Sequence, residues 1–292
     1  MRLARYWARA PGEATGPDGR RVRTVARGWS NESLEAAREL ARTMARRIAE
    51  RLASPQAEPR AYLYGERPLP EPILREFRGG AGDEPRAVVT RNVYGALVLN
   101  ARDLMFVDID RAGTPSAAAP VAGMLSGLRS LFGQAAPPPP PPENGVVAAI
   151  QRVAEANALA ARVYKTAAGY RAIVTSAHLE AGGGPSEGLF QQFGADPLYV
   201  RLCRLQQSFR ARLTPKPWRC GLRTPPVVFP FDAPADESRF RAWEAEYTVT
   251  AARYATCRYL TACGAAPVVP DFEELIRYHD QETRAGTSLP LA

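Results

Sequence analysis

The chain has 292 residues, 46% of them hydrophobic and 23% charged. That is ample material for one large core or two small ones, and too little charge for a disordered chain. No apolar run reaches the roughly 18 residues needed to span a bilayer, the opening MRLARYWARAPGEATG has no apolar signal core, and four scattered cysteines make no disulfide framework. These features predict a cytoplasmic protein without a membrane partner. The formal net charge is +8, with arginine supplying every basic residue except Lys165 and Lys216; where that charge sits is more informative than its total.

In chain order, Arg21 to Ala26 reads as a strand. A helix follows, capped by Ser30 or Asn31, with Leu34, Ala37, Ala41, Met44, Ile48 and Leu52 as its apolar stripe. A Pro- and Gly-rich loop runs from Ser54 to Pro85, and Glu71 to Phe77 within it is expected as a short helix. Two β-like runs, Ala87 to Leu99 and Leu104 to Asp110, are expected to pair as a hairpin about Asn100–Asp103. From Arg111 to Asn144 the composition shifts to Ala, Gly, Ser and Pro, ending in Pro137 to Pro142, a stiff surface insertion. Val146 to Ala161 reads as a helix, and Arg162 to Thr166 and Tyr170 to Thr175 as strands about Ala167-Ala168-Gly169. A Gly-rich loop spans Gly182 to Pro185. Helices are then expected over Pro197 to Phe209, over all or part of Glu237 to Cys263, and over Phe272 to Thr283. The order predicts an α+β fold, an antiparallel sheet with helices packed on one face. Three sequence segments follow: residues 1–85, a core over 86–235 carrying the Pro-rich insertion 111–145, and a helical segment over 236–292.

Three stretches carry chemistry. In Leu104-Met-Phe-Val-Asp-Ile-Asp110, alternation puts Asp108 and Asp110 on one strand face, about 6–7 Å apart at Cα, able to chelate a divalent cation. The competing reading leaves both at a solvated strand end. In Arg162-Val-Tyr-Lys-Thr-Ala-Ala-Gly-Tyr-Arg171, Lys165 and Arg171 flank a small-residue turn suited to a phosphate. From Pro197 to Phe231 there is no Asp or Glu, while Arg201, Arg204, Arg210, Arg212, Lys216, Arg219 and Arg223 interleave with Tyr199, Phe209 and Trp218. That pattern suits a phosphodiester backbone with unstacked bases. The cysteine spacing lacks a zinc-type CxxC pair, and neither His178 nor His279 has a recognisable nucleophile partner.

In this order the three stretches resemble motifs of the archaeo-eukaryotic primase superfamily, over roughly residues 87 to 232. Phe106-Val-Asp108-Ile-Asp110 is similar to its acid-x-acid strand. Lys165 to Arg171 resembles its second motif, with Arg171 standing where the family has a histidine, and Arg210-Ala-Arg-Leu-Thr-Pro-Lys216 resembles its later basic strand. The resemblance implies an RRM-like sheet and metal-dependent nucleotidyl transfer of primase–polymerase type, on nucleic acid and nucleoside triphosphate. Mg²⁺ or Mn²⁺ would sit on Asp108 and Asp110, with Asp196 or Asp232 as a third acid. Lys165 and Arg171 would clamp the triphosphate, and Arg210, Arg212 and Lys216 would contact nucleotide or template phosphates. The alternative is a catalytically degenerate nucleic-acid- or nucleotide-binding protein, since arginine holds phosphate but does not exchange protons at neutral pH.

Overall fold

A computed structural model describes residues 1–54, 67–79, 84–110 and 143–292. The Pro-rich stretch Pro137 to Pro142 and most of its flanking insertion lie outside the described residues. The fold is α+β, with helices packed on antiparallel sheets.

The N-terminal unit is a long two-stranded ribbon, β1 (Tyr6–Thr15) and β2 (Arg21–Ser30), with helix α1 (Leu34–Ala53) laid on one face. Ser33 caps α1, accepting a hydrogen bond from the Ala36 N–H at 3.1 Å. Ser30 and Asn31 are used elsewhere, Ser30 accepting from the Glu32 N–H and Asn31 from the Arg5 N–H. The buried stripe of α1 is Ala37, Ala41, Ala45 and Ala49, while Leu34 and Leu52 are exposed. The expected stripe is thus rotated toward its smallest members, and the ribbon explains why. A Cβ on Gly12 would stand 2.4 Å from the Ala45 carbonyl oxygen, and one on Gly28 2.2 Å from that of Ala37. The two backbones approach so closely that only Gly and Ala fit between them.

The body contains two four-stranded antiparallel sheets. In the first, β6 (Phe106–Asp110), α2 (Glu143–Ala156) and β7 (Ala161–Thr166) form a crossover, and β8 (Gly169–Val174) returns between the two strands as the expected hairpin partner of β7. The fourth strand, β10 (Cys257–Cys263), joins at the β7 edge, so the order is β10-β7-β8-β6. Residues 257–263 are therefore strand rather than the tail of a helix: α5 (Pro234–Ala251) ends after the β-branched run Thr248-Val249-Thr250, which lowers helix propensity. The second sheet, β3-β4-β5-β9, contains β3 (Ile73–Phe77), β4 (Ala87–Arg91), β5 (Leu97–Ala101) and β9 (Phe209–Arg212).

Two further expectations change here. Glu71 to Phe77 gives a strand, Ile73–Phe77, because its backbone pairs antiparallel with β4, a long-range ladder that overrides local helix propensity. The hairpin lies within Ala87–Ala101, turning at Asn92–Gly95, where Asn92 Oδ1 accepts from the Tyr94 and Ala96 N–H groups and Gly95 takes φ +84°. Released from that pairing, β6 enters the other sheet.

Helix α3 (Gly184–Phe193), which starts inside the Gly-rich stretch, packs on β6. Helices α4 (Pro197–Gln206) and α6 (Glu273–Thr283) complete the body. On the first sheet, the alternate set Val107, Ala172 and Val163 is buried in one core with Ile150 and Ala154 of α2. The opposite set, Phe106 and Tyr164, is buried beneath His279 of α6. The one-sided helical layer thus describes only the α2 side; the sheet is covered on both faces. The sheets also draw on all three sequence segments, with β3 preceding residue 86 and β10 following residue 235.

Candidate functional site

Asp108 and Asp110 share the β6 face that also carries Phe106. Register sets Asp108 opposite Arg171 on β8, and Arg171 opposite Tyr164 on β7. Arg171 Nε donates to Asp108 Oδ1 at 2.8 Å and Nη2 to Oδ2 at 3.4 Å, with the arginine side chain 1% exposed and the aspartate 33%. Arg171 Nη1 donates to the Arg212 carbonyl at 3.0 Å and lies 3.2 Å from His279 Nε2. Burial opposes charge on Arg171, but Asp108 outweighs it and raises the guanidinium above its ordinary range.

Because arginine only donates, His279 Nε2 accepts, which places the imidazole proton on Nδ1, 3.0 Å from Asp280 Oδ1. The ring is therefore neutral, in line with a pKa lowered first by burial and, among its neighbours' charges, by Arg171. Asp280 also accepts from the Tyr164 hydroxyl at 2.7 Å and from Arg162 at 2.7 Å. Burial would push its carboxyl up, but the hydrogen bonds from His279 and Tyr164 hold it below the usual range. Arg171 is thus the middle of a buried chain from Asp108 to Asp280, with no exposed face to offer a phosphate. Sequence reasoning passed over His279 because its partner lies across the fold, 108 residues away.

The start of α4 comes against β6. The Asp196 N–H donates to the Asp108 carbonyl at 3.0 Å, and the Tyr199 hydroxyl donates to the Phe106 carbonyl at 2.8 Å. Asp196 caps α4, accepting from the Leu198 N–H at 3.1 Å. Burial first, and then Asp196 and Asp108, push the Asp110 carboxyl up, while Lys216 and Arg219 pull it down. Of the two third-acid candidates, Asp196 is the neighbour; Asp232 pairs with Arg9 at 2.8 Å instead.

Downstream of β9, the Tyr247 hydroxyl donates to the Pro215 carbonyl at 2.6 Å and lies 2.8 Å from Thr214 Oγ1, fixing the segment that presents Lys216. A short 3₁₀ turn (Pro217–Cys220) then carries Arg219. Lys216 is half-buried above the Trp218 ring, its ammonium 5.5 Å from the centroid. Burial, followed by Arg212 and Arg219, lowers its pKa to about 8. Arg212 is lowered to about 10, chiefly by burial and then by Arg171.

The structure therefore gathers Asp108, Asp110, Arg212 and Lys216, and adds Asp196 and Arg219. Arg171 is there as well, but as the buried partner of Asp108; the other two predicted residues, Arg210 and Lys165, are not gathered. Arg210 is internal: it donates twice to Glu71, at 2.8 and 2.9 Å, and to Asn100 Oδ1 at 2.5 Å, with both members of the ion pair buried. Lys165 lies opposite Tyr170, which is opposite Ile109, so it occupies the sheet face away from Asp108.

The donor set fits a divalent cation poorly, because both Asp108 oxygens already meet a guanidinium. Among the described residues, no group of three or more His, Cys, Asp and Glu side chains is placed to hold a metal. The four cysteines are buried and free, and no described helix is long and apolar enough to cross a membrane. The chain matches no protein-family model, no curated protein and no solved structure.

Proposed function

We propose that the group formed by β6, the start of α4 and the segment after β9 binds the phosphates of a nucleotide or nucleic acid without catalysing nucleotidyl transfer. The observation that carries this reading is the Arg171–Asp108 pair: an arginine stands at the histidine position of the primase-like pattern and occupies the first acid of the acid-x-acid motif. Lys216, Arg212 and Arg219 supply the positive charge, and Lys216 is depressed first by burial and then by the two arginines. An anion placed among them relieves their mutual repulsion. Metal-dependent transfer at Asp108 and Asp110 would require Arg171 to give up the Asp108 carboxylate from a buried position. The four free, buried cysteines favour a reducing, cytoplasmic setting.

A salt titration of single-stranded oligonucleotide binding tests the reading, alongside primer extension with Mn²⁺. Binding that weakens with salt, is reduced by Lys216→Glu, and comes without extension supports it. Primer extension that disappears in Asp110→Ala would overturn it in favour of the enzyme, and a flat salt response would remove phosphate contact altogether.

A further inference from the structure

Of the three aromatics interleaved with the basic run, only Trp218 is exposed. Phe209 is buried in the main core, and the Tyr199 hydroxyl is spent on the Phe106 carbonyl. Trp218 keeps 43% of its surface open. The tight β4–β5 turn brings up Tyr94, whose ring stands perpendicular to the indole with centroids 5.1 Å apart. Lys216 is bracketed by Pro215 and Pro217, which hold its backbone extended, and its ammonium lies over the same indole ring. Among the described residues, Arg212 Nε and Arg219 Nη1 are buried donors without an acceptor. Neither arginine nor Lys216 has an ion-pair partner among those residues, and Asp110 and Asp108 act on Lys216 only from longer range.

Buried donors without acceptors and cations without counter-ions call for oxyanions. An exposed indole on the same rigid segment offers a flat apolar surface beside them. A duplex satisfies only the first of these, because its bases are already covered on both faces by their own stack. An unpaired base has a free face, stacks on an aromatic side chain whatever its identity, and carries phosphates on either side of it. We propose that the ligand of this group is a single strand of nucleic acid, with one unpaired base on the open part of Trp218 and its flanking phosphates on Lys216, Arg212 and Arg219. Tyr94 is the positioning residue that holds the indole at its angle. This inference rests on the phosphate reading of the β6–β9 group and names the form of nucleic acid that the group takes.

The test uses the full chain and fluorescence anisotropy with three labelled probes: oligothymidylate, an abasic strand of the same length, and a duplex of that length. Oligothymidylate should bind most tightly at one common salt concentration. Trp218→Leu should weaken its binding roughly fivefold or more, at unchanged salt slope, and leave the abasic strand unaffected. Trp218→Phe, which keeps a stacking ring, should restore most of the affinity. Lys216→Glu should weaken both strands and lower the salt slope by about one. Wild-type-like binding by Trp218→Leu, or equal affinity for oligothymidylate and either of the other probes, overturns the proposal; if Lys216→Glu still weakens binding in that case, the phosphate reading survives alone. Absence of salt-dependent binding of every probe removes both. Photocrosslinking of a 5-iodouracil-substituted strand to the unmodified protein, read by peptide mass spectrometry, needs no variant to fold: attachment at Trp218 or Tyr94 supports the proposal, and attachment confined to other residues overturns it.

Discussion

Replacing Arg171 with methionine tests whether this residue is a structural clamp or a ligand-binding group. The substitution keeps an apolar stem of similar length and removes every hydrogen bond of the guanidinium: two to Asp108, one to the Arg212 carbonyl and one to His279. Breaking a buried pair by deleting one partner costs about 3–5 kcal/mol. Asp108 keeps a third of its side-chain surface in water, so its orphaned charge is partly resolvated, and the lower end, about 3 kcal/mol, is expected. At about 2–4 °C per kcal/mol for chains of this size class, the melting temperature should fall by roughly 6–12 °C. Guanidinium unfolding should show a lower midpoint at unchanged slope. Asp108→Leu alone, which strands a fully buried guanidinium, should cost at least as much. The double variant should cost less than the two singles combined by about 1.5 kcal/mol or more. A loss below about 1 kcal/mol for Arg171→Met, or strictly additive singles, would refute the clamp and return Arg171 to the ligand-binding set.

Four other outcomes follow from the same geometry. Arg210→Met should destabilise by about 3–5 kcal/mol through the stranded Glu71 carboxylate and should leave the salt dependence of oligonucleotide binding unchanged; a shallower salt slope would show that Arg210 does touch phosphate. Lys216 titrates from about 8 in the fold, and only its protonated form attracts an anion, so phosphate-ligand affinity should fall as pH rises through about 8. Lys216→Arg should abolish that step while retaining binding, and a persisting step would assign it to another group. Asp110 is disfavoured as a carboxylate by burial and by Asp196 and Asp108, so its folded pKa lies above the unfolded one. Its contribution to stability is lost as pH rises across that interval, and Asp110→Asn should therefore raise the melting temperature at pH 7; a drop would contradict the assignment. Gly28→Ala should push α1 off the ribbon, at a cost of roughly 1–3 kcal/mol or more. Hydrogen exchange should quicken in α1 but not in β4 or β5, and uniform protection would show that the close backbone approach is wrong.

Local pattern carried much of the fold. Alternation alone places Asp108 and Asp110 on one face of a strand, the small turn at Ala167-Ala168 announces the β7–β8 hairpin, and the acid-free stretch holds the three cations of the final group, Arg212, Lys216 and Arg219. The Asn92–Gly95 turn was equally legible in principle, since an Asn followed by a Gly three residues on is a hairpin signal.

What neighbouring residues cannot encode is the choice of partner. Arg171 and Arg210 look like Arg212 along the chain, yet each becomes internal because an acid 63 and 139 residues away, respectively, is brought against it. The buried side of α1 is likewise set by Gly12 and Gly28 on the ribbon rather than by the helix's own largest apolar residues. Periodicity fixes which side chains share a face because it is a property of the backbone repeat. Which charges remain available to a ligand depends on long-range register, because an ion pair forms only where packing removes both groups from water together.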